Sequence, residues 1–341
     1  MDTIQLHFLP VGCGDAIHIR FKGEDEFFHN ILIDSGYVKT YTPILKPILN
    51  GILSKGEMID LWILTHTDND HIGGVTKFIN ERDFKDKPEF VKKFWFNWSN
   101  IEILPDEGEI SVKQGILLRD YFISIYKIDS QDITNTLIPI DFWGAKITIL
   151  SPTLEKLNKS KTEWKNEETN LISGESDYHF TIEELLKVKF KEDDSVWNGG
   201  SIAFLFELNG KRILFLADSH PSVIVDFLKN PPFNCSKENP LKVDLVKVSH
   251  HGSCGNTSPE LLELIDCENY VFCVATPNRY SFPNKKTLAW LVALRQKAKT
   301  KTNLFFNHRT PQYNDLFKMD KDAELRFNFT FQYLQNGKYS F

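Results

Sequence analysis

The chain has 341 residues, 41% of them hydrophobic and 25% charged, with a formal net charge of −6. This ordinary globular composition excludes a disordered or collagen-like chain, and the length suits one large layered α/β domain spanning 1–341 with an insertion. The acidic balance argues against a broad electrostatic surface for nucleic acid, though not against a local basic groove.

Taken in chain order, the N-terminus has no basic leader, and apolar runs stay below the roughly 18 residues that span a bilayer, so neither export nor membrane anchoring is expected. The five cysteines (Cys13, Cys235, Cys254, Cys267, Cys273) form no Cys-x-x-Cys pair, which indicates a reduced, cytoplasmic setting without a disulfide framework. Strands are expected over 4–9, 16–21, 31–34, 61–65, 147–150, 202–208, 213–217 and 243–249, each rich in β-formers. Helices are expected over 43–53, 112–126, 221–228, 259–264 and 287–297, with Pro43, Pro221 and Pro259 near helix starts, where a missing N–H costs little. Residues 155–194, poor in β pattern and rich in Lys, Glu, Asn and Ser, read as an insertion that need not belong to the core.

The strongest signal is Leu61-Trp62-Ile63-Leu64-Thr65-His66-Thr67-Asp68-Asn69-Asp70-His71-Ile72-Gly73-Gly74, an apolar strand ending in four potential metal ligands. His66 and Asp68 can share one side of the strand end, the following turn can swing Asp70 and His71 towards a second ion, and Gly73 and Gly74 let the backbone close before a helix begins. A second apolar strand, 212–217, delivers Asp218; taken alone, this acid reads more readily as a helix cap ahead of Pro221 than as a ligand. A third, 246–249, delivers His250 and His251 into a Gly-Ser turn. Neighbouring side chains diverge, so one histidine is expected to ligate and the other to orient substrate or protonate a leaving group.

These elements in this order resemble the metallo-β-lactamase superfamily, especially the branch typified by the nuclease-like domain of the ComEC competence protein. The opening Leu6-His7-Phe8-Leu9-Pro10-Val11-Gly12-Cys13-Gly14-Asp15-Ala16, the strand and turn Ile31-Leu32-Ile33-Asp34-Ser35-Gly36 and the stretch 198–204 are similar to that branch too. The resemblance implies an αββα sandwich with a two-metal site at one end. Carried over, His66 and Asp68 hold the first metal, Asp70 and His71 the second, Asp218 bridges them, and His250 or His251 completes the second site; Asp15 and Asp34 support the loops. Asp70, His250 and His251 are the candidate catalytic groups.

Two positions depart from the superfamily pattern: Asn198-Gly199-Gly200-Ser201 stands where many members have another histidine, and Phe282 precedes Pro283 where relatives have His-Pro, with His308 as a conceivable substitute. Counting ligands then gives the first ion three and the second four, so the first is expected to bind more weakly and to accept substrate.

The implied activity is hydrolysis by a two-metal-activated water, with Zn or Mn as the two divalent ions and a nucleic acid or nucleotide phosphodiester as substrate. An association with bacterial DNA processing or anti-phage defence comes with the resemblance. Basic residues along 82–93 and 285–301 read either as rims for a polynucleotide or as a solvated face. Two alternatives stay open: hydrolysis of a small ester, lactone or amide at the same metals, and a binding or regulatory protein with a structural or vestigial metal site.

Overall fold

The computed structural model describes residues 4–84, 86–100, 110–128, 132–163, 175–297 and 300–341. The strands are β1 (Ile4–Phe8), β2 (Ala16–Lys22), β3 (Phe28–Asp34), β4 (Leu61–Leu64), β5 (Phe94–Phe96), β6 (Ile140–Phe142), β7 (Ala145–Ser151) and β8 (Ala203–Leu208). They continue as β9 (Lys211–Phe215), β10 (Leu241–Lys242), β11 (Leu245–Lys247), β12 (Ile265–Asp266), β13 (Asn269–Phe272), β14 (Thr302–Phe306), β15 (Phe329–Tyr333) and β16 (Lys338–Tyr339).

One sheet has the order β16-β1-β2-β3-β4-β5 and the other β15-β14-β13-β11-β9-β8-β7-β6, while β10 and β12 pair separately. In each sheet an antiparallel half gives way to a parallel one: β3, β4 and β5 run parallel in the first, and β9, β11, β13, β14 and β15 in the second.

Alternation along the strands explains why the sheets stack. Side chains two residues apart share a face. Ile31 and Ile33 on β3, Leu61 and Ile63 on β4, Phe204 and Phe206 on β8, and Ile213 and Phe215 on β9 all enter one apolar layer between the sheets. The residues between them face outward: Leu32, Trp62 and Leu64 meet the helices Lys46–Ser54, Asn69–Ile79 and Ile110–Tyr126. Leu205, Leu214 and Val246 meet the helices Pro221–Lys229, Pro259–Glu263 and Lys285–Lys297. The result is the expected αββα sandwich. Trp62 shows how tightly the outer layer is keyed, with Phe78 and Phe94 at ring centroid distances of 5.3 and 5.6 Å; truncating such a residue costs about 3–5 kcal/mol.

Three differences from the sequence reading bear on the site. The helix after β4 starts at Asn69, so Gly73 and Gly74 lie inside it rather than ahead of it. Their purpose is close approach: a Cβ on Gly74 would lie 2.2 Å from the Ser35 carbonyl oxygen and one on Gly73 2.6 Å from the Val38 nitrogen. The insertion is also less detached than expected. Residues 164–174 lie outside the described residues, but Leu157, Ile182 and Leu185 are buried, and the Asp177 carboxylate accepts from the backbone N–H groups of Lys285 and Lys286. Third, β5, β13, β14 and β15 were not expected; β13 is only four residues long, too short to show a period. No helix among the described residues is long and apolar enough to cross a membrane.

Candidate metal centre

Parallel strands that end together bring sequence-distant side chains to one place. Asp34 ends β3, His66 lies two residues past β4, Asp218 three past β9, and His250 three past β11. Asp68 stands at the N-cap of the helix Asn69–Ile79, with Asp70 and His71 in its first turn. Asp218 is not a helix cap: that position ahead of Pro221 is His220, and no side chain caps the helix.

Around one carboxylate oxygen, Asp218 Oδ2, gather four imidazole Nε2 atoms, those of His66, His71, His250 and His251, at 3.7, 3.4, 3.6 and 3.8 Å. Asp68 Oδ2 lies 3.5 Å from His66 Nε2; Asp70 Oδ2 lies 3.5 Å from His71 Nε2 and 3.2 Å from His251 Nε2. The other ring nitrogens explain this geometry. His71 Nδ1 donates to Asp34 Oδ2 at 2.7 Å, and His251 Nδ1 to the Cys273 carbonyl at 2.9 Å. Thr65 Oγ1 donates to Asp34 Oδ2 and so accepts from His66 Nδ1 at 3.0 Å. His250 Nδ1 donates to Asn256 Oδ1 at 2.8 Å, an amide whose orientation is fixed because its Nδ2 donates to Asp193 Oδ2 and to the Asp218 carbonyl.

With each Nδ1 carrying the proton, each Nε2 presents a lone pair. The Nε2 atoms of His66, His71 and His251 and Asp218 Oδ1 are buried without a hydrogen-bond partner. Lone pairs facing lone pairs at 3.2–3.8 Å repel unless a proton or a metal cation lies between them. The spacing fits one, since bonds of about 2.1 Å in tetrahedral geometry separate neighbouring ligand atoms by about 3.4 Å. Imidazole and carboxylate donors together suit divalent transition ions.

The adjacent histidines do not diverge as expected. His250 (φ 44°, ψ 54°) and His251 (φ 54°, ψ 20°) both adopt the left-handed conformation, followed by Gly252 at φ 89°. This curls the chain so that both rings reach Asp218, at a backbone cost of about 1–3 kcal/mol for each non-glycine residue. His251, not His250, stands beside Asp70 and His71. His250 comes in from the side of Asn198 and Asp193, whose Nδ2 and Oδ2 lie 3.4 and 3.9 Å from its Nδ1. A histidine from another loop thus stands beside the Asn198 turn; its Nδ1–H is given to Asn256, and Asn198 Nδ2 donates to Asp193 Oδ2.

The electrostatics follow from this crowding. Burial alone would lower the His71 pKa, yet Asp218, Asp70 and Asp34 together raise it well above the ordinary value; His250 is raised against burial by Asp218 and Asp193. Burial opposes ionisation of Asp70 and Asp218, but the surrounding histidines hold Asp70 down to about 2 and Asp218 well below the usual carboxylate range.

Beneath the ligands, Lys247 on β11 donates to Asp15 Oδ2 in a fully buried ion pair, and Asp15 Oδ1 lies 3.7 Å from His251 Nδ1. Asp34 accepts from Thr65 N, Thr65 Oγ1 and His71 Nδ1. Asp34 is thus engaged as a support on both its oxygens, and Asp15 on Oδ2, while Asp15 Oδ1 is buried without a hydrogen-bond partner.

Other expectations fare differently. His308 does not stand in as an acid–base group: its Nε2 accepts the Gly12 N–H at 2.9 Å, and burial lowers its pKa to about 4. Phe282 packs edge-on against the His250 ring, with centroids 5.0 Å apart. The segment 285–301 offers no continuous basic rim among its described residues, because Lys285 is buried on Asp320, Lys286 on the Lys189 carbonyl and Arg295 on Asp266; Lys299 lies outside the described residues. In 82–93, Lys87 is spent on the Glu81 carbonyl and Lys92 on Glu89. Asp193, Asn256 and the Lys247–Asp15 pair were missed; a lysine inside the apolar run 245–248 was the one signal for them.

Among curated proteins none matches this chain. Among solved structures it is similar to two variants of a flavo di-iron protein from Thermotoga maritima, one with asparagine and one with alanine in place of a histidine. The first alignment covers 94% of this chain and 85% of that one at 11% identity and a TM-score of 0.27; the second covers 94% and 84% at 12% and 0.26. Residues 29–97, which run from β3 through β5 and hold His66, Asp68, Asp70 and His71, match the family model of the metallo-beta-lactamase superfamily.

Proposed function

We propose that this chain is a metal-dependent phosphodiesterase acting on nucleic acid or a nucleotide. One divalent ion, zinc or manganese, would be held by Asp70, His71, His251 and Asp218, and a second by His66, Asp68, His250 and Asp218. The observation that carries the metal reading is the set of four imidazole Nε2 atoms around Asp218 Oδ2, three of them, on His66, His71 and His251, buried without a hydrogen-bond partner. With His250 assigned to the ion at His66 and Asp68, both ions would have four protein ligands, in place of the three and four counted from the sequence. The choice of phosphodiester rests on the resemblance of the motifs to nuclease-like relatives.

Ions bound here supply Lewis acidity and acidify an attacking water. The chain's own residues do the rest. Asp34, Thr65, Asn256 and the Cys273 carbonyl hold the four rings in one tautomer, so no reorganisation is needed as charge develops. Asp68 and Asp70 keep 35% and 23% of their side chains exposed while Asp218 keeps 2%, so substrate enters on the Asp68–Asp70 side. Phe282 excludes water from the flank of His250. The five free cysteines support a reducing, cytoplasmic setting.

A small ester or lactone is the second reading, favoured by a cavity of about 520 Å³ beside the same loop, with Tyr178, His179, Pro277 and Met319 in its walls. Turnover of bis-p-nitrophenyl phosphate, tetrathymidylate, p-nitrophenyl acetate and a simple lactone separates the two. Chelator-sensitive cleavage of the diesters, restored by Mn²⁺ or Zn²⁺, is expected. Turnover of the lactone or acetate alone would overturn the phosphodiester reading, and metal binding without turnover of any of the four would favour a regulatory protein.

A further inference from the structure

The loop between β13 and the helix Lys285–Lys297 builds a ladder of stacked groups that runs outward from the candidate metal centre. The Phe282 ring lies against His250; the Tyr280 ring is stacked on Phe282, with centroids 5.3 Å apart and planes 21° from parallel; and the Arg279 guanidinium lies 4.5 Å above the Tyr280 ring. Ser281, at φ 57°, turns the chain so that Tyr280 and Phe282 lie on the same side.

Arg279 is exposed at the top of this ladder. Most arginines here hold a carboxylate: Arg20, Arg119, Arg212, Arg295 and Arg326 are each ion-paired. Arg279 instead donates to the Tyr280 hydroxyl, and among the described residues no carboxylate stands within ion-pair distance of it. A guanidinium offers five N–H donors, and stacking on a ring limits the rotamer freedom lost when an anion binds. Tyr280 also lies within the field of the centre: burial raises its pKa first, Arg279 holds it down, and Asp70 and Asp68 both push it up.

We propose that Arg279, braced by Tyr280 and Phe282, receives a phosphate of the substrate adjacent to the one being cleaved. The inference rests on the phosphodiesterase reading and deepens it. A substrate lying across the Asp68–Asp70 opening with its scissile phosphate at the ions extends its chain along the ladder, where the exposed cation meets the next phosphate and the aromatic edge offers a surface to a base. The preferred substrate is then an oligonucleotide rather than an isolated diester.

The test uses the metal-loaded wild type, Arg279→Ala and Arg279→Lys. Thymidine 3′,5′-bisphosphate contains no diester, so its affinity can be titrated without turnover. Loss of a charge-assisted bidentate contact weakens binding by about tenfold or more in the alanine variant, with the lysine variant intermediate. The alanine variant also lowers kcat/KM for tetrathymidylate at least tenfold more than for bis-p-nitrophenyl phosphate, which has no neighbouring phosphate. Equal bisphosphate affinity in all three proteins, or an equal loss on both diesters, overturns the inference while leaving the phosphodiesterase reading intact. If the wild type cleaves neither diester, that reading falls, and the titration alone decides whether Arg279 forms an anion site.

Discussion

Replacing Lys247 by Met tests how the two sheets are tied together beneath the ligands. Lys247 sits on β11 of one sheet and Asp15 follows β1 of the other, and each is 1% exposed. Burial alone would lower the Lys247 pKa, yet Asp15 and Asp218 raise it, so the lysine is charged in the fold. Methionine keeps most of the apolar stem, so the cost is chiefly a buried carboxylate left without its cation, about 3–5 kcal/mol. At roughly 2–4 °C per kcal/mol for domains of 150–250 residues, this is a fall in Tm of about 6–20 °C, with the lower end apt for this longer chain. Thermal unfolding followed by circular dichroism in chelator, which removes any metal linkage, reads it. Adding Asp15→Asn removes the stranded charge and should restore about 2 kcal/mol or more. A loss below about 1 kcal/mol in the single variant, or a double variant no better than the single, refutes the strut.

Acid should weaken the fold through His18, which is buried with its Nε2 2.8 Å from Asn30 Oδ1 and whose pKa burial lowers to about 4. The unfolded chain takes up this proton first, so the stability is intact above about pH 6.5 and is lost as pH falls towards 4, by about 3 kcal/mol in all; a urea series should show a flatter profile over that window in His18→Gln, and an unchanged slope contradicts the assignment. Gly74→Ala should reverse the gain of about 1 kcal/mol that alanine normally brings to a helix, because its Cβ would meet the Ser35 carbonyl at 2.2 Å; a raised Tm in this variant would show that the helix has room to shift. Asp34→Asn keeps the size and tolerates the φ of 56° but removes the charge behind His71, so metal affinity in a competition titration should fall about 10–100-fold; unchanged affinity would show that Asp34 does not tune the ring.

How much of this was legible depended on distance along the chain. The run from His66 to His71 carries its own evidence, because an apolar strand followed by four ligands within six residues needs no partner to be recognised. Asp218 carried little alone and looked like a cap; only the parallel pairing of β9 with β11 places it among the imidazoles. The double histidine was visible as a motif, but not the consecutive left-handed residues that aim both rings inward, since two-periodic divergence is a rule for extended chain and fails in a curl. Asp193 was hidden by composition: the charged stretch around it resembles a solvated insertion, and only the folded chain brings its carboxylate to Asn198 and Asn256. A period of two was readable in β1 and β2, whereas β4 is an uninterrupted apolar run buried on both faces; β14 alternates in the fold, but it opens on Thr302, a polar residue in a buried position.

The central claim is that His250 and His251 serve two different ions, and metal stoichiometry tests it most directly. Wild type, His250→Ala, His251→Ala and the double variant His71→Ala/Asp218→Ala are dialysed against limiting metal and their content measured by elemental analysis. Two equivalents in the wild type, one tightly held equivalent in each single histidine variant and essentially none in the double variant are predicted. Two equally tight equivalents in His250→Ala, or unchanged content in the double variant, would contradict the account.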